Sequence, residues 1–449
     1  MFHDRIDLPL GAALSAADSR PGQRVFLLLQ GPHGPFFDRL GQMLRAAGAQ
    51  VWRCAFNAGD EFFWSDRAHL LRYTGSGAEW PAHLDRIIAE RGVTDIVLYG
   101  DVRPVHAAAR SAASTHGLRL HVFEEGYLRP YWISYERGGA NGHSALVDIP
   151  VAEMRAQLRD SMIELRRPPA HWGDMRQHKF YGAVYHFLLL AGNARYRRFA
   201  GHRSLSVWQE FWLNLCRLVL MPLHSVVRAW QWRRFRLSGR PYMLVPMQLE
   251  HDSSLQAHSP YTRNRQFVEE VIAAFARAAP GHHHLLFKAH PLEDGRARNR
   301  QAIRAAAARH GLSDRVHYLR GGKLAAMLDH ARAVITVNST AAQQALWRGL
   351  PVKALGRAVY DKPGLVSDQP LADFCRDPQH PDLAACRVFR AYLLQTSQVP
   401  GGFYARRSRA HALRLVVDLI LAPDDPYRAL ARGGVPRRQQ IGRDLDRAA

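Results

Sequence analysis

Asp252 stands in the run His251-Asp252-Ser253-Ser254, in a chain where acidic residues are scarce. A carboxylate there can attack an electrophilic carbon, take a proton, or form an Asx turn. Lys288-Ala289-His290-Pro291 sets a cation and an imidazole two residues apart. On an extended strand both face one side, as a phosphate would require. Asn338-Ser339-Thr340 falls between a β-branched run and a helical pattern. Its side chains can cap that helix, and its amides can hold a phosphate. Glu124-Glu125-Gly126-Tyr127 offers carboxylates for activating a hydroxyl. As neighbours in sequence, only one of Glu124 and Glu125 is expected to enter a cleft.

These residues follow apolar runs of strand length. RVFLLLQ ends in Gln30-Gly31-Pro32, QVWRCAF leads to Asn57, and DIVLY leads to Gly100-Asp101-Val102-Arg103-Pro104. LRLHVF leads to the Glu pair, YMLVPMQ to Gln248, HHLLFKAHP to Lys288 and His290, and AVITV to Asn338. Helical patterns alternate with these runs, for example FDRLGQMLRAAG and 263–279. Such alternation predicts an α/β fold with parallel sheets and helices on both faces, where ligands bind outside the carboxyl ends of the strands. Two Rossmann-like blocks facing a cleft follow, residues 1–165 and 241–390. A basic helical bridge spans 166–240, and helices with an Arg-rich tail span 391–449.

The bridge carries much of the charge. The chain has 61 Lys+Arg against 39 Asp+Glu, a net +22 over 449 residues. Met175 to Leu249 holds 12 Lys+Arg and one acid, Glu210, beside Trp208, Phe211, Trp212, Trp230, Trp232 and Phe235. Helices are expected at about 205–220 and 223–237, interrupted at Pro222. Cations beside indoles suit an anionic lipid surface, while a connector with packed aromatics is the plainer alternative. No apolar run reaches a membrane span and no secretory leader is visible, so a cytoplasmic protein is expected, soluble or on a membrane face. Cys54, Cys216, Cys375 and Cys386 have neither metal nor disulfide-framework spacing, which suits a reducing compartment. The sequence lacks H-E-x-x-H, a P-loop, G-x-G-x-x-G and a strand-end D-x-D, disfavouring zincin, ATPase, dinucleotide and metal–sugar-nucleotide readings. His282-His283-His284 alternates across a strand and is read as its polar start. No RRM, KH or zinc-finger pattern supports nucleic-acid binding.

In order along the chain come LLLQGPHGPFFDRLGQML, FNAGDEFFW, YGDVRPVH, VFEEGYLRPYWISYERGGANG, VPMQLEHDSSLQAHSPY, FKAHPLEDG, VNSTAAQQAL, PVKALGRAVYDKPGL and QVPGGFY. Together they resemble the capsule polysaccharide β-Kdo transferases of the KpsS/LipB type, from about residue 24 to 404. The resemblance implies a GT-B-like, retaining, metal-independent glycosyltransferase with CMP-Kdo as donor and no cofactor. Its acceptor would be a phosphatidylglycerol-type lipid at the cytoplasmic face of the Gram-negative inner membrane, where it starts a poly-Kdo linker. A second Kdo transferase and the capsule export machinery would be partners, and nucleic acid would not. By motif position Asp252 would be the nucleophile, and His290 and Lys288 would stabilise the leaving phosphate. Gln248, Ser253, Pro291, Asn338, Ser339 and Thr340 would complete the donor side. Glu124 or Glu125, with Gln30, Gly31, Asn57, Asp101, Arg103, Tyr127 and Arg129, would line the acceptor side. The chain departs from the family pattern at Ser254, Ala289 and Ala341-Ala342-Gln343-Gln344, which bears on donor details. The alternatives are another CMP-sugar donor, such as CMP-sialic acid, or a non-catalytic basic protein binding membrane or nucleic acid.

Overall fold

The computed structural model describes residues 24–129, 131–159, 175–199, 212, 226–250, 252–291, 293 and 295–434. The strands are β1 (Val25–Leu28), β2 (Gln50–Ala55), β3 (Leu70–Arg72), β4 (Asp95–Tyr99), β5 (Arg119–Glu125) and β6 (Trp132–Arg137). After the bridge come β7 (Tyr242–Pro246), β8 (His284–Lys288), β9 (Val316–Leu319), β10 (Ala333–Thr336), β11 (Val352–Ala354) and β12 (Gln398–Pro400). They form two sheets, ordered β12-β6-β5-β4-β1-β2-β3 and β11-β10-β7-β8-β9. The second is parallel throughout.

Continuous apolar runs make these strands because both faces of each sheet are covered. Alternate residues of β1 enter different cores. Phe26 and Leu28 meet Leu415, Val416 and Leu419 of the helix Arg406–Leu421, while Val25 and Leu27 meet Leu84, Ile88 and Ala109. In the second sheet Met243 and Val245 pack on Phe267, Val271 and Phe275 of the helix Asn264–Ala278. Tyr242 and Leu244 share the opposite core with Tyr127, Leu128, Leu146 and Met154 from the first half of the chain. Apolar packing therefore joins the two halves.

The first sheet differs from the parallel expectation at one edge. β6 runs antiparallel to β5, and β12 antiparallel to β6. Only residues 126–131 join β5 to β6, too few for the crossover a parallel pair needs. The segment after 390 also returns to the first sheet. Gln398 pairs with Ser134, Arg24 Nη1 donates to Ile420 O at 2.8 Å, and Arg137 Nη2 donates to Leu419 O at 2.8 Å.

Within the bridge, residues 226–237 are helical, and the expected helix at 205–220, with Trp208 and Phe211, lies outside the described residues apart from Trp212. Phe235 is buried against Tyr242 with Trp232 beside it, whereas Trp230 and Trp212 are 59% and 63% exposed. The aromatics thus divide between packing and solvent. Among the described residues no helix is long and apolar enough to cross a membrane.

Candidate active site

Three neighbouring strands, β10, β7 and β8, deliver Asn338, Gln248 and Lys288 at their carboxyl ends. Gln248 Nε2 donates to Asn338 Oδ1 at 2.8 Å, and Asn338 N donates back to Gln248 Oε1 at 3.2 Å. This amide pair fixes two strand ends and directs the chain into the turn that carries Asp252. Asp252 N donates to Leu249 O at 2.9 Å, and Asp252 O accepts from Gln256 N at 3.1 Å. Asp252 is half-buried and begins the short helix Ser253–Ala257. Ser339 Oγ accepts from Ala341 N at 3.2 Å at the start of the helix Ala341–Leu346, and Thr340 makes no side-chain cap bond there.

Lys288 is buried at the end of β8, with Nζ donating to Ala289 O at 3.3 Å. Burial first, and the Arg228 guanidinium second, push its ammonium down to about 8. Arg228 belongs to the bridge helix, and its side chain approaches Gly321 and Gly322 beyond β9. Both glycines have positive φ, 87° and 111°, a backbone that side chains disfavour. Lys288 and Arg228 make this strand end strongly cationic. His290 follows two residues on, half-buried, with its carbonyl accepting from Glu293 N at 3.0 Å, and Pro291 is exposed beyond it.

At the first sheet the two glutamates part, as strand alternation requires. Glu125 Oε1 accepts from the Tyr99 hydroxyl at 3.1 Å. Glu124 turns toward Gly100 and Asn141, whose Nδ2 lies 3.5 Å from Oε2. Burial raises the Glu124 carboxyl to about 7; the Glu125 N–H, Arg129 and Arg103 favour its anion, while the Glu125 charge opposes it. Arg103 also lies over the Tyr99 ring, and exposed Arg129 donates to Gly126 O at 3.1 Å.

Other acceptor-side candidates are occupied in the scaffold. Gln30 Nε2 and Asn57 Nδ2 both donate to Asp60 Oδ2, at 3.2 and 2.9 Å, and Asn57 also reaches the Tyr185 hydroxyl at 2.7 Å. Asp60 lies in the helix Ala58–Phe62 and draws these strand-end amides inward. Gly31 admits the Phe37 ring, which stands 2.6 Å from where a Cβ would be. Tyr127 is only 2% exposed; its hydroxyl donates to Glu136 Oε1 at 2.5 Å and accepts from Asn141 N at 2.7 Å. It holds the turn at residues 141–144 and does not line an open cleft.

That turn carries a residue the sequence analysis passed over. His143 Nδ1 lies 3.1 Å from Asp101 Oδ2, which also accepts from Ala140 N at 3.0 Å. From the second half, the His258 ring meets His143 edge-on with centroids 4.4 Å apart. Gly142 permits this approach, because a Cβ there would sit 2.4 Å from the His258 ring. Burial first, then His143, lowers His258 to about 4, so it is neutral at physiological pH. The His258 carbonyl accepts from Arg357 N at 2.8 Å and from Asn338 Nδ2 at 3.4 Å. Polar contacts therefore run from Gln248 through Asn338 and His258 to His143 and Asp101. His258 and Arg228 lie in segments read from the sequence, within LQAHSPY and the basic bridge, while His143 directly follows the motif that ends at Gly142. Only the packing of the two halves brings the histidines together.

The capsule polysaccharide biosynthesis protein family matches residues 94–404, the span holding all of these residues except Gln30, Gly31, Asn57 and the Asp60 knot. The capsule polysaccharide export protein KpsS of Escherichia coli is 33% identical over 387 residues, covering 85% of this chain and 97% of that protein.

The chain belongs to the capsule polysaccharide biosynthesis family.

A second member, the capsule polysaccharide modification protein LipB of Neisseria meningitidis, is 32% identical, covering 85% of this chain and 91% of its own length. Among solved structures, the Thermosulfurimonas dismutans KpsC β-Kdo 2,7 transferase is 13% identical with a TM-score of 0.43, covering 88% of this chain and 100% of that one.

Proposed function

We propose that this family member is a retaining β-Kdo transferase moving Kdo from CMP-Kdo to a phosphatidylglycerol-type lipid acceptor. The Asp252 carboxylate attacks the anomeric carbon, the bond to the CMP phosphate oxygen breaks, and CMP departs with the electron pair. Lys288, His290 and Arg228 meet the phosphate charge, with Ser339 and Thr340 at the neighbouring helix start. The acceptor hydroxyl then attacks the same carbon, Glu124 takes its proton, and the Asp252 carboxylate is released. Two displacements retain configuration. Arg103 and Arg129 sit beside Glu124, where an acceptor phosphate would be neutralised.

The observation that carries this reading is the delivery of Asn338, Gln248 and Lys288 by three adjacent strands, with Asp252 four residues past Gln248. Side-by-side incubation with CMP-Kdo and CMP-sialic acid, using a fluorescent phosphatidylglycerol analogue, tests it. Transfer from CMP-Kdo alone is the expected result, and transfer only from CMP-sialic acid would replace the donor.

The acceptor places the enzyme at the cytoplasmic face of the inner membrane. Exposed Trp230 and the basic side chains of the bridge support docking there. Cosedimentation with phosphatidylglycerol vesicles, weakened by added salt, is expected. Cosedimentation with RNA but not with vesicles would oppose it.

A further inference from the structure

We propose that Asp101, His143 and His258 form a binding site for one divalent transition-metal ion that ties together the two halves of the molecule. Each residue offers one ligand atom, and these atoms all lie within 4.8 Å of one another. Two imidazoles and a carboxylate are donors suited to Zn²⁺, Co²⁺ or Ni²⁺. Ligand atoms on a tetrahedral ion with bonds of about 2.1 Å stand roughly 3.4 Å apart, so the cluster needs a closure of at most about 1.4 Å.

Two further observations point to a ligand. Asp101 is fully buried, and its Oδ1 has no hydrogen-bond partner among the described residues. His258 is 7% exposed, and its Nε2 also has none among them. Leaving such atoms unsatisfied is destabilising, a cost that coordination would remove.

The surrounding contacts orient the ligands as metal sites require. Ala140 N holds Asp101 Oδ2, leaving Oδ1 available. The His143 turn is fixed by Tyr127 and by Ser144, whose hydroxyl donates to Glu136. The His258 backbone is fixed by Arg357 and Asn338. Gly142 supplies the space for close approach.

Arg110 is the competing cation. Its Nη1 lies 4.0 Å from Asp101 Oδ2 and 2.8 Å from His143 Nε2, on a side chain 34% exposed. The cluster of lone pairs attracts a positive charge, and Arg110 supplies it in the metal-free protein. A bound ion displaces this flexible side chain into solvent. The ion acts as a tether and takes no part in the bond-changing steps, so the transfer reading stands or falls separately.

Titration of the full-length protein with Co²⁺, followed by visible absorption, and with Zn²⁺, followed by calorimetry, tests this. One ion per chain is expected, with affinity at least 100-fold weaker in His143→Ala/His258→Ala and stronger in Arg110→Ala. Zn²⁺ should raise the melting temperature of the wild type and not of the double variant. His284→Ala probes the separate His284 and His317 pair, whose ring nitrogens are 3.0 Å apart, and should leave the ion bound. Equal binding by the double variant and the wild type, loss of binding in His284→Ala, or no binding in either the wild type or Arg110→Ala would overturn the site. Circular dichroism of each variant separates loss of binding from loss of fold.

Discussion

Lys288 supplies a sharp test of the donor site because its charge is already compromised before a ligand arrives. Its ammonium lies at about 8, depressed by burial and by Arg228. A phosphate bound there favours the charged form, so affinity for CMP must fall once Lys288 loses its proton. At pH 9 about a tenth of the free protein keeps that proton, so CMP should bind about five- to tenfold more weakly than at pH 7. The phosphate of CMP is already ionised over this window, its second pKa being about 6 by analogy with other phosphomonoesters. Lys288→Met should weaken CMP binding by about 1.5–3 kcal/mol, roughly 10- to 150-fold, and remove the pH step. Arg228→Ala removes one of the two depressing influences and should move the step to higher pH, while also weakening binding. Isothermal calorimetry between pH 7 and 9.5 measures all three proteins. A flat wild-type affinity over that range, or wild-type affinity in Lys288→Met, would refute the assignment.

Glu124→Gln should lower transfer about 10²- to 10⁴-fold, and wild-type kcat/KM should rise with pH through about 7 as the carboxyl ionises. Because the folded carboxyl is raised, its ionisation costs stability that is lost as pH climbs from the ordinary carboxylate range to about 7, so the neutral variant should melt no lower than wild type at pH 8; retained activity would exclude Glu124 as base. Asp95 is fully buried, with the Arg24 guanidinium and the His121 ring on its carboxylate and the Thr94 hydroxyl at 2.6 Å, and Asp95→Ala should cost about 3–5 kcal/mol in urea unfolding. Gly142→Ala should push His258 off the turn, seen as a weakened Co²⁺ band with an unchanged circular dichroism spectrum. An unaltered band would mean that the turn and His258 move together.

Much of the scaffold was legible because buried parallel strands advertise themselves as apolar runs. Gln248, Lys288 and Asn338 follow such runs, and the strand-end rule found them. The same rule also named Gln30 and Asn57, whose amides Asp60 in a five-residue helix holds inward. It also placed Tyr127 on the acceptor side, although Glu136, one strand away, buries that hydroxyl. β12 spans three residues and pairs with a strand more than 260 positions earlier, so no local pattern marks it. His143 and His258 belong to different halves and meet only through the packing of those halves. Arg228 belongs to the basic charge block of the bridge, yet its side chain approaches Gly321 and Gly322 and acts on Lys288 at the end of β8.

The central claim is that Asp252 carries Kdo from CMP to a lipid. Mass spectrometry of wild type and Asp252→Ala, incubated with CMP-Kdo and the fluorescent phosphatidylglycerol analogue, tests it most directly. The account predicts a product heavier by one or more Kdo residues from wild type, none from the variant, and a Kdo adduct on the wild-type Asp252 peptide when acceptor is withheld. Wild-type yield from Asp252→Ala, or no Kdo-bearing lipid from the wild type, would contradict it.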